Sequence, residues 1–280
     1  MWRTHPVAHA LFAALSCGMA MAAPNLTEPA LNPVIDRGYR QMYDLNFDDA
    51  HRTFAQWERE HPEDPLGPVS NAAAYLFAEF DRLNILHSEF FVDGGVFHRS
   101  PKVTPDPAVR QSFDQELEKS GTLANNILQR LPEDPDALFA KILTLGLRSD
   151  YEALIERRYL DALKVIKDSR ATAEKLLAIE PNYYDAYLAI GLENYLFSLK
   201  PAPVRWFLQA GGVQTDRDKG VDDLRLTAEK GQYLSPYARL LLAVAALRNK
   251  DIPKARELLS ALAREFPHNR LYAQELAQLH

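Results

Sequence analysis

The sequence predicts an all-α chain: a right-handed superhelical solenoid of antiparallel helix pairs, interrupted by irregular insertions. Three observations carry that expectation. Four segments of similar form, HPEDPLG at 61–67, LPEDPDA at 131–137, EPNYYDA at 180–186 and FPHNRLY at 266–272, each place a proline two residues beyond an amphipathic run. A proline at that distance stops a helix without breaking it, because its missing N–H and fixed φ fall outside the hydrogen-bonded turns. Before three of the four, apolar residues recur at helical spacing: Phe47, Ala50, Phe54 and Trp57; Ala173, Leu176 and Leu177; Ile252, Ala255, Leu258, Leu259 and Leu262. Strand signals are nearly absent, the exception being FFVDGGVFH at 90–98, which reads as a small hairpin or a loop tip.

Taken in chain order, residues 1–22 read as a cleavable export signal. Arg3 precedes an apolar stretch from Val7, and Ala20-Met21-Ala22 offers small residues at an A-x-A site, with Ala22 as the last residue removed. The stretch is shorter than the ~20 residues that span a bilayer comfortably. The alternatives are a retained N-terminal anchor and, at Cys17 in ALSC, a lipid attachment point. Cleavage leaves 258 residues without cysteine, so disulfides and thiol chemistry are excluded from the exported chain. Loss of Arg3 takes the formal charge from −6 to −7, with both signs interleaved, and this argues against a nucleic-acid partner. Residues 23–33, APNLTEPALNP, lack periodicity and read as a flexible lead-in to a helical domain over 34–280.

The first predicted pair runs from Gly38 to Pro62, with Ala50 twelve residues after the glycine, Phe54 four later and Pro62 eight further. Small residues at 38 and 50 let two backbones approach, Phe54 fills the gap toward the next pair, and Pro62 ends the second helix. DAYLAIGLENY (185–195) repeats the first-helix half, with Tyr187, Ile190 and Gly191 at matching offsets, and KDIPKARELLSALAREFP (250–267) repeats the second, with Ala255 twelve before Pro267. This pattern resembles the tetratricopeptide repeat, an antiparallel helix pair of about 34 residues. The intervals between the four prolines are 70, 49 and 86 residues. Seventy fits two repeats with a loop over 92–106, and 49 fits one lengthened pair, because ALFAKILTLGLRSDYEALIERRYLDALKVIKD has no clear breaker. Leu271–His280 reads as a solitary capping helix. The last third, Gly191–Leu247, resembles the tetratricopeptide repeat protein 39 family, which includes a fungal inclusion body clearance protein; its turn here is GGVQTDRDKG at 211–220. Members of that family are intracellular, whereas this chain carries an export signal. The whole chain looks more like exported bacterial tetratricopeptide proteins of unassigned function, and the resemblance implies architecture alone.

Chemistry is scarce. The metalloprotease, nucleophile-elbow and phosphate-loop motifs are missing. His51, His61, His87, His98 and His268 have no second ligand at i+3 or i+4 and read as surface or capping residues. RSDYEALIERR (148–158) reads as a solvated, salt-bridged face, with Glu152 and Glu156 as the faint candidates for acid–base work. No catalytic residue, metal site or cofactor is therefore expected. A curved stack would line a groove with its first helices. That assigns Ile35, Tyr39, Met42, Asp185, Leu188, Leu192 and Tyr195 to a peptide-binding wall, although aromatic stripes at helical spacing more often form core. PAPVRWFLQAGG at 201–212 reads first as a short helix folded back over the array. A partner prong carrying Trp206 and Phe207, and an interfacial membrane contact, are the lesser readings. The resulting expectation is an exported, periplasmic or secreted scaffold for a protein or peptide partner. A fixed subunit of an envelope complex is the runner-up, and a helical-repeat enzyme is the third class.

Overall fold

The computed structural model describes residues 32–85, 103–199 and 216–279. Ala22, Cys17, the possible hairpin at 90–98, and Trp206 with Phe207 all lie outside those residues. The described residues are all-helical, with no strand among them. In order they form α1 (Pro33–Tyr43), α2 (Phe47–Glu60), α3 (Leu66–Arg82), α4 (Pro107–Arg130) and α5 (Pro135–Asp150). A π-helical turn (Tyr151–Glu156) follows, then α6 (Tyr159–Ile179), a 3-10 turn (Tyr184–Ala186) and α7 (Tyr187–Ser198). The chain closes with α8 (Arg217–Lys230), α9 (Ser235–Arg248), α10 (Ile252–Glu265) and α11 (Arg270–Ala277).

Two kinds of turn alternate, and each has a chemical cause. In four of the five pairs the second helix ends with proline two residues on: α2 before Pro62, α4 before Pro132, α6 before Pro181 and α10 before Pro267, whereas α8 ends at Gly231. An Asp or Asn then caps the next start, as where Asp134 accepts from Ala137 N at 2.9 Å and Asn269 from Leu271 N at 3.0 Å. Turns within a pair instead carry a left-handed residue: Leu45 (φ 61°), Asn84 (54°), Arg157 (59°) and Lys250 (61°). At three of them the next N–H bonds five residues back, Asn46 to Gln41 O at 2.9 Å, Ile85 to Phe80 O at 2.9 Å and Asp251 to Ala246 O at 2.9 Å. This is the Schellman closure, made here without glycine.

The pairs are α1/α2, α3/α4, α5/α6, α7/α8 and α9/α10, with α11 alone at the end. The 49-residue interval is one long pair, α5/α6, bent by the π turn and Arg157. The described part of the 70-residue interval holds one pair and not two. Its extra length lies in the 24-residue α4 and in residues 86–102. The lead-in also ends earlier than its composition suggests: Pro33 opens α1, and Asn32 Oδ1 accepts from Val34 N at 3.0 Å.

Helices pack closely where the sequence supplies glycine. A Cβ on Gly38 would collide with the Phe54 ring, so Phe54 fills the space left by this glycine within its own pair. α7 crosses α8 backbone against backbone, where a Cβ on Gly220 would lie 2.7 Å from Tyr195 N and 2.9 Å from Gly191 O. Backbone cannot swing aside as a side chain can, so an added methyl there must part the helices. Gly146, inside α5, has nothing within 4 Å of its Cβ position. The same substitution should therefore have opposite signs at these two sites. Gly220→Ala is expected to cost roughly 2–4 kcal/mol in a urea melt, and Gly146→Ala to gain about 0.5–1 kcal/mol from helix propensity.

Candidate functional site

The array closes on itself. The start of the chain meets its end through Arg40 Nη1 on Glu265 Oε1 (2.9 Å), His268 Nδ1 on Asp44 Oδ2 (2.6 Å) and Arg270 Nη2 on Asp81 Oδ2 (2.7 Å). Asn269 Nδ2 donates to Tyr43 O at 2.7 Å while its Oδ1 caps α11. Inside this seam the first helices meet through aromatic rings: Tyr39 against Tyr233 (centroids 5.4 Å), Phe77 against Tyr237 (5.5 Å) and Phe139 against Tyr183 (4.8 Å). The concave face is consequently core.

This corrects the expectation of an open peptide wall. Ile35 (0% exposed), Tyr39 (2%), Met42 (1%), Asp185 (3%) and Tyr195 (4%) are buried, and only Leu188 and Leu192 keep partial exposure. Ridge spacing showed which side of each helix is apolar, but whether that side faces solvent depends on closure, which has no local signature. Five of the seven residues nevertheless converge. Tyr39, Met42, Asp185, Leu188 and Leu192 border one central cavity of about 70 Å³, while Ile35 and Tyr195 pack elsewhere. Its other walls include Phe77 from α3, Leu143 and Leu147 from α5, and Tyr237 from α9.

The polar groups on this wall fall into two sets. Asp185 Oδ1 accepts from Leu234 N (2.9 Å), and Oδ2 from Gln232 N (3.0 Å) and Tyr233 N (3.2 Å). Burial lifts its pKa to about 6 against the pull of those three donors. Tyr43 Oη donates to Tyr233 O at 3.2 Å, Ser169 Oγ to Ile142 O at 3.2 Å and Ser149 Oγ to Ala162 O at 3.2 Å. Asp150, at the end of α5, is half-buried and makes no side-chain hydrogen bond or ion pair among the described residues. Burial alone pushes its carboxyl up to about 7. Tyr237 also has no partner for its hydroxyl, and burial, with the neighbouring Asp150 charge behind it, holds its pKa well above the usual phenol range. Sequence reading placed Asp150 on a solvated face. The signal that would have found it is its register with Leu143 and Leu147 on the inner side of α5.

The faint acid–base candidates resolve differently. Glu156 is held by Arg110 Nη1 at 2.5 Å and Arg158 Nη1 at 3.2 Å, and these cations outweigh burial to keep its carboxyl low. Glu152 is buried, with Oε2 unpartnered, and it does not lie on the cavity wall. A second titrating group lies between α2, α3 and α4, where Asn71 Nδ2 donates to both Glu58 Oε1 (3.2 Å) and Glu116 Oε1 (3.0 Å). Burial, then the Glu58 charge, lifts Glu116 to about 7. His51 is tied to Asn71 Oδ1 at 2.6 Å, and His61 stacks on Trp57 with centroids 3.6 Å apart. Among the described residues no group of three or more His, Cys, Asp or Glu is arranged to hold a metal ion, and no helix is long and apolar enough to cross a membrane.

No protein-family model, no curated protein and no solved structure matches the chain.

Asp150 gives the fold a pH signature with a definite sign. Between about pH 4, where an unfolded Asp ionises, and about pH 7, the folded chain holds a proton that the unfolded chain has lost, so stability falls as pH rises through this window. The groups facing Asp150 are Tyr237 from α9, Tyr39 and Tyr43 from α1, and Asp185. The tyrosines stay neutral throughout, whereas Asp185 titrates near 6, so the effect is read as a difference between proteins. Asp150→Asn is expected to raise Tm by roughly 3–8 °C at pH 8, at 2–4 °C per kcal/mol for a chain of this size, and by little at pH 4.5. Equal gains at both pH values would show that the carboxyl is not the cause.

Proposed function

We propose that the chain is an exported tetratricopeptide-like solenoid that serves as a non-catalytic scaffold and binds a protein partner through its outer surface. Support for the repeat reading comes from the alternation of Schellman and proline turns, and from contacts between successive first helices, α1 with α3 and α3 with α5. A right-handed superhelix is the hand that stacked pairs of this kind adopt. The N-terminal A-x-A site supports export, with Ala23 as the first mature residue.

The observation that carries the functional reading is the placement of apolar side chains left in solvent. Leu160 is 84% exposed, and Tyr159 and Leu196 are also exposed. The short connection between Ile179 and Tyr184 makes α6 and α7 antiparallel, so the start of α6 and the end of α7 share one end of the pair. Of the four large exposed apolar residues among those described, Tyr159 and Leu160 stand side by side at the start of α6, where a partner would bury them. With the concave face filled, this edge takes over the role expected of the groove.

Crosslinking in the native envelope, followed by mapping of linked sites, tests the reading. Partner crosslinks are expected at Lys164 and Lys167, in the first turns of α6. Leu160→Asp should lower partner capture at least tenfold, about 1.4 kcal/mol, and shift stability by under ~0.5 kcal/mol, as for an exposed site. Unchanged capture by that variant would sink the proposal.

A further inference from the structure

We infer that the central cavity is a binding site for a small primary ammonium with a short apolar body, its charge set against Asp150. The argument starts from what the wall lacks. Around an apolar space of about 70 Å³, the carboxylate of Asp185 is satisfied by three backbone donors, and the hydroxyls of Tyr43, Ser149 and Ser169 each donate to a carbonyl. Asp150 and Tyr237 alone are left without a hydrogen-bond partner among the polar side chains named here on that wall. Asp150 and Tyr237 are half-buried on this largely apolar wall, and a carboxylate set there without a counter-charge is less well stabilised than one in open water. A ligand that supplies the missing positive charge removes the penalty.

The chemistry narrows the ligand. A divalent metal demands six or more oxygen ligands for calcium, or a near-octahedral set for magnesium, and one carboxylate plus one phenol cannot provide either. A guanidinium brings five donors to two acceptors and would bury the rest unpaired. A primary ammonium brings three, of which Asp150 and the Tyr237 oxygen accept, on a wall that also holds Tyr39, Tyr43 and Phe77. Space sets the body. A water needs about 10–15 Å³ of such volume, so the cavity holds roughly five water-sized units, which suits a chain of about four carbons against Leu143, Leu147, Leu188 and Leu192.

The inference does not depend on the scaffold reading, because the cavity lies inside the ring and the exposed edge lies outside it. Isothermal titration of the full exported chain with n-butylammonium and with n-butanol, its neutral counterpart, tests the assignment. The ammonium is expected to bind at least tenfold more tightly than the alcohol. Asp150→Asn should abolish that preference, and Tyr237→Phe should weaken ammonium binding several-fold. Ala189→Leu, which puts extra volume into the cavity from α7, should weaken both ligands together and shows where binding occurs even if the Asn variant misfolds. Equal affinities in the wild type, a preference that survives Asp150→Asn, or indifference to Ala189→Leu would each overturn the proposal. Failure of both ligands to bind would do the same, leaving a cavity that holds only water.

Discussion

The fold depends on one carboxylate. Asp185 opens the fourth helix pair, and its two oxygens take the N–H groups of Gln232, Tyr233 and Leu234, which form the turn between α8 and α9. That turn would otherwise bury three backbone donors without acceptors, at a cost of about 1–3 kcal/mol each. The constraint does more than satisfy a loop. It aims Tyr233 inward, where its ring packs on Tyr39, its hydroxyl accepts from Asn32 N at 3.0 Å, and its carbonyl accepts from Tyr43. A residue near the end of the chain thereby reaches the first helix, and the array becomes a ring.

Closure changes what the helix pairs are for. An open stack exposes the inner faces of its first helices, and their aromatic residues would read as a recognition surface. Once Tyr233, from the turn before α9, and Tyr237, from α9, pack on Tyr39 and Phe77, those faces are interior. The ion pairs Arg40–Glu265 and Arg270–Asp81 cross the same seam on the outside. Being largely exposed, they contribute up to about 1 kcal/mol each and act mainly to set register. The buried rings and the Asn269 double contact supply most of the adhesion, since apolar burial and satisfied buried amides weigh more than exposed charge pairs.

Much of this was legible in the sequence, and the limits have a physical boundary. All four proline stops fall where spacing put them, because proline acts through its own N–H and φ and needs no distant partner. The close approach at Gly38 was likewise expected, from a small residue at a helix crossing. One misreading came from a feature without a local signature. The break at Arg157 escaped notice because a π turn ending in a left-handed Arg lacks the glycine that usually marks such a site.

The site shows the same boundary more sharply. Tyr39, Met42, Asp185, Leu188 and Leu192 were grouped correctly as neighbours on one surface, since helical spacing fixes which residues share a face. Spacing is silent on what lies opposite. Asp150 illustrates the consequence: its neighbours Arg148, Glu152, Glu156, Arg157 and Arg158 made it look like one charge among many on a wet surface. Turned by α5 toward Leu188 and Tyr237, it becomes an isolated carboxyl in an apolar space. Its chemical character is set by the ring closing through Asp185 and Tyr233, more than forty residues beyond Asp185 itself in the second case. Where helix pairs pack into a closed all-α fold, a residue's own segment fixes its helix and its face, and the far end of the chain fixes its environment.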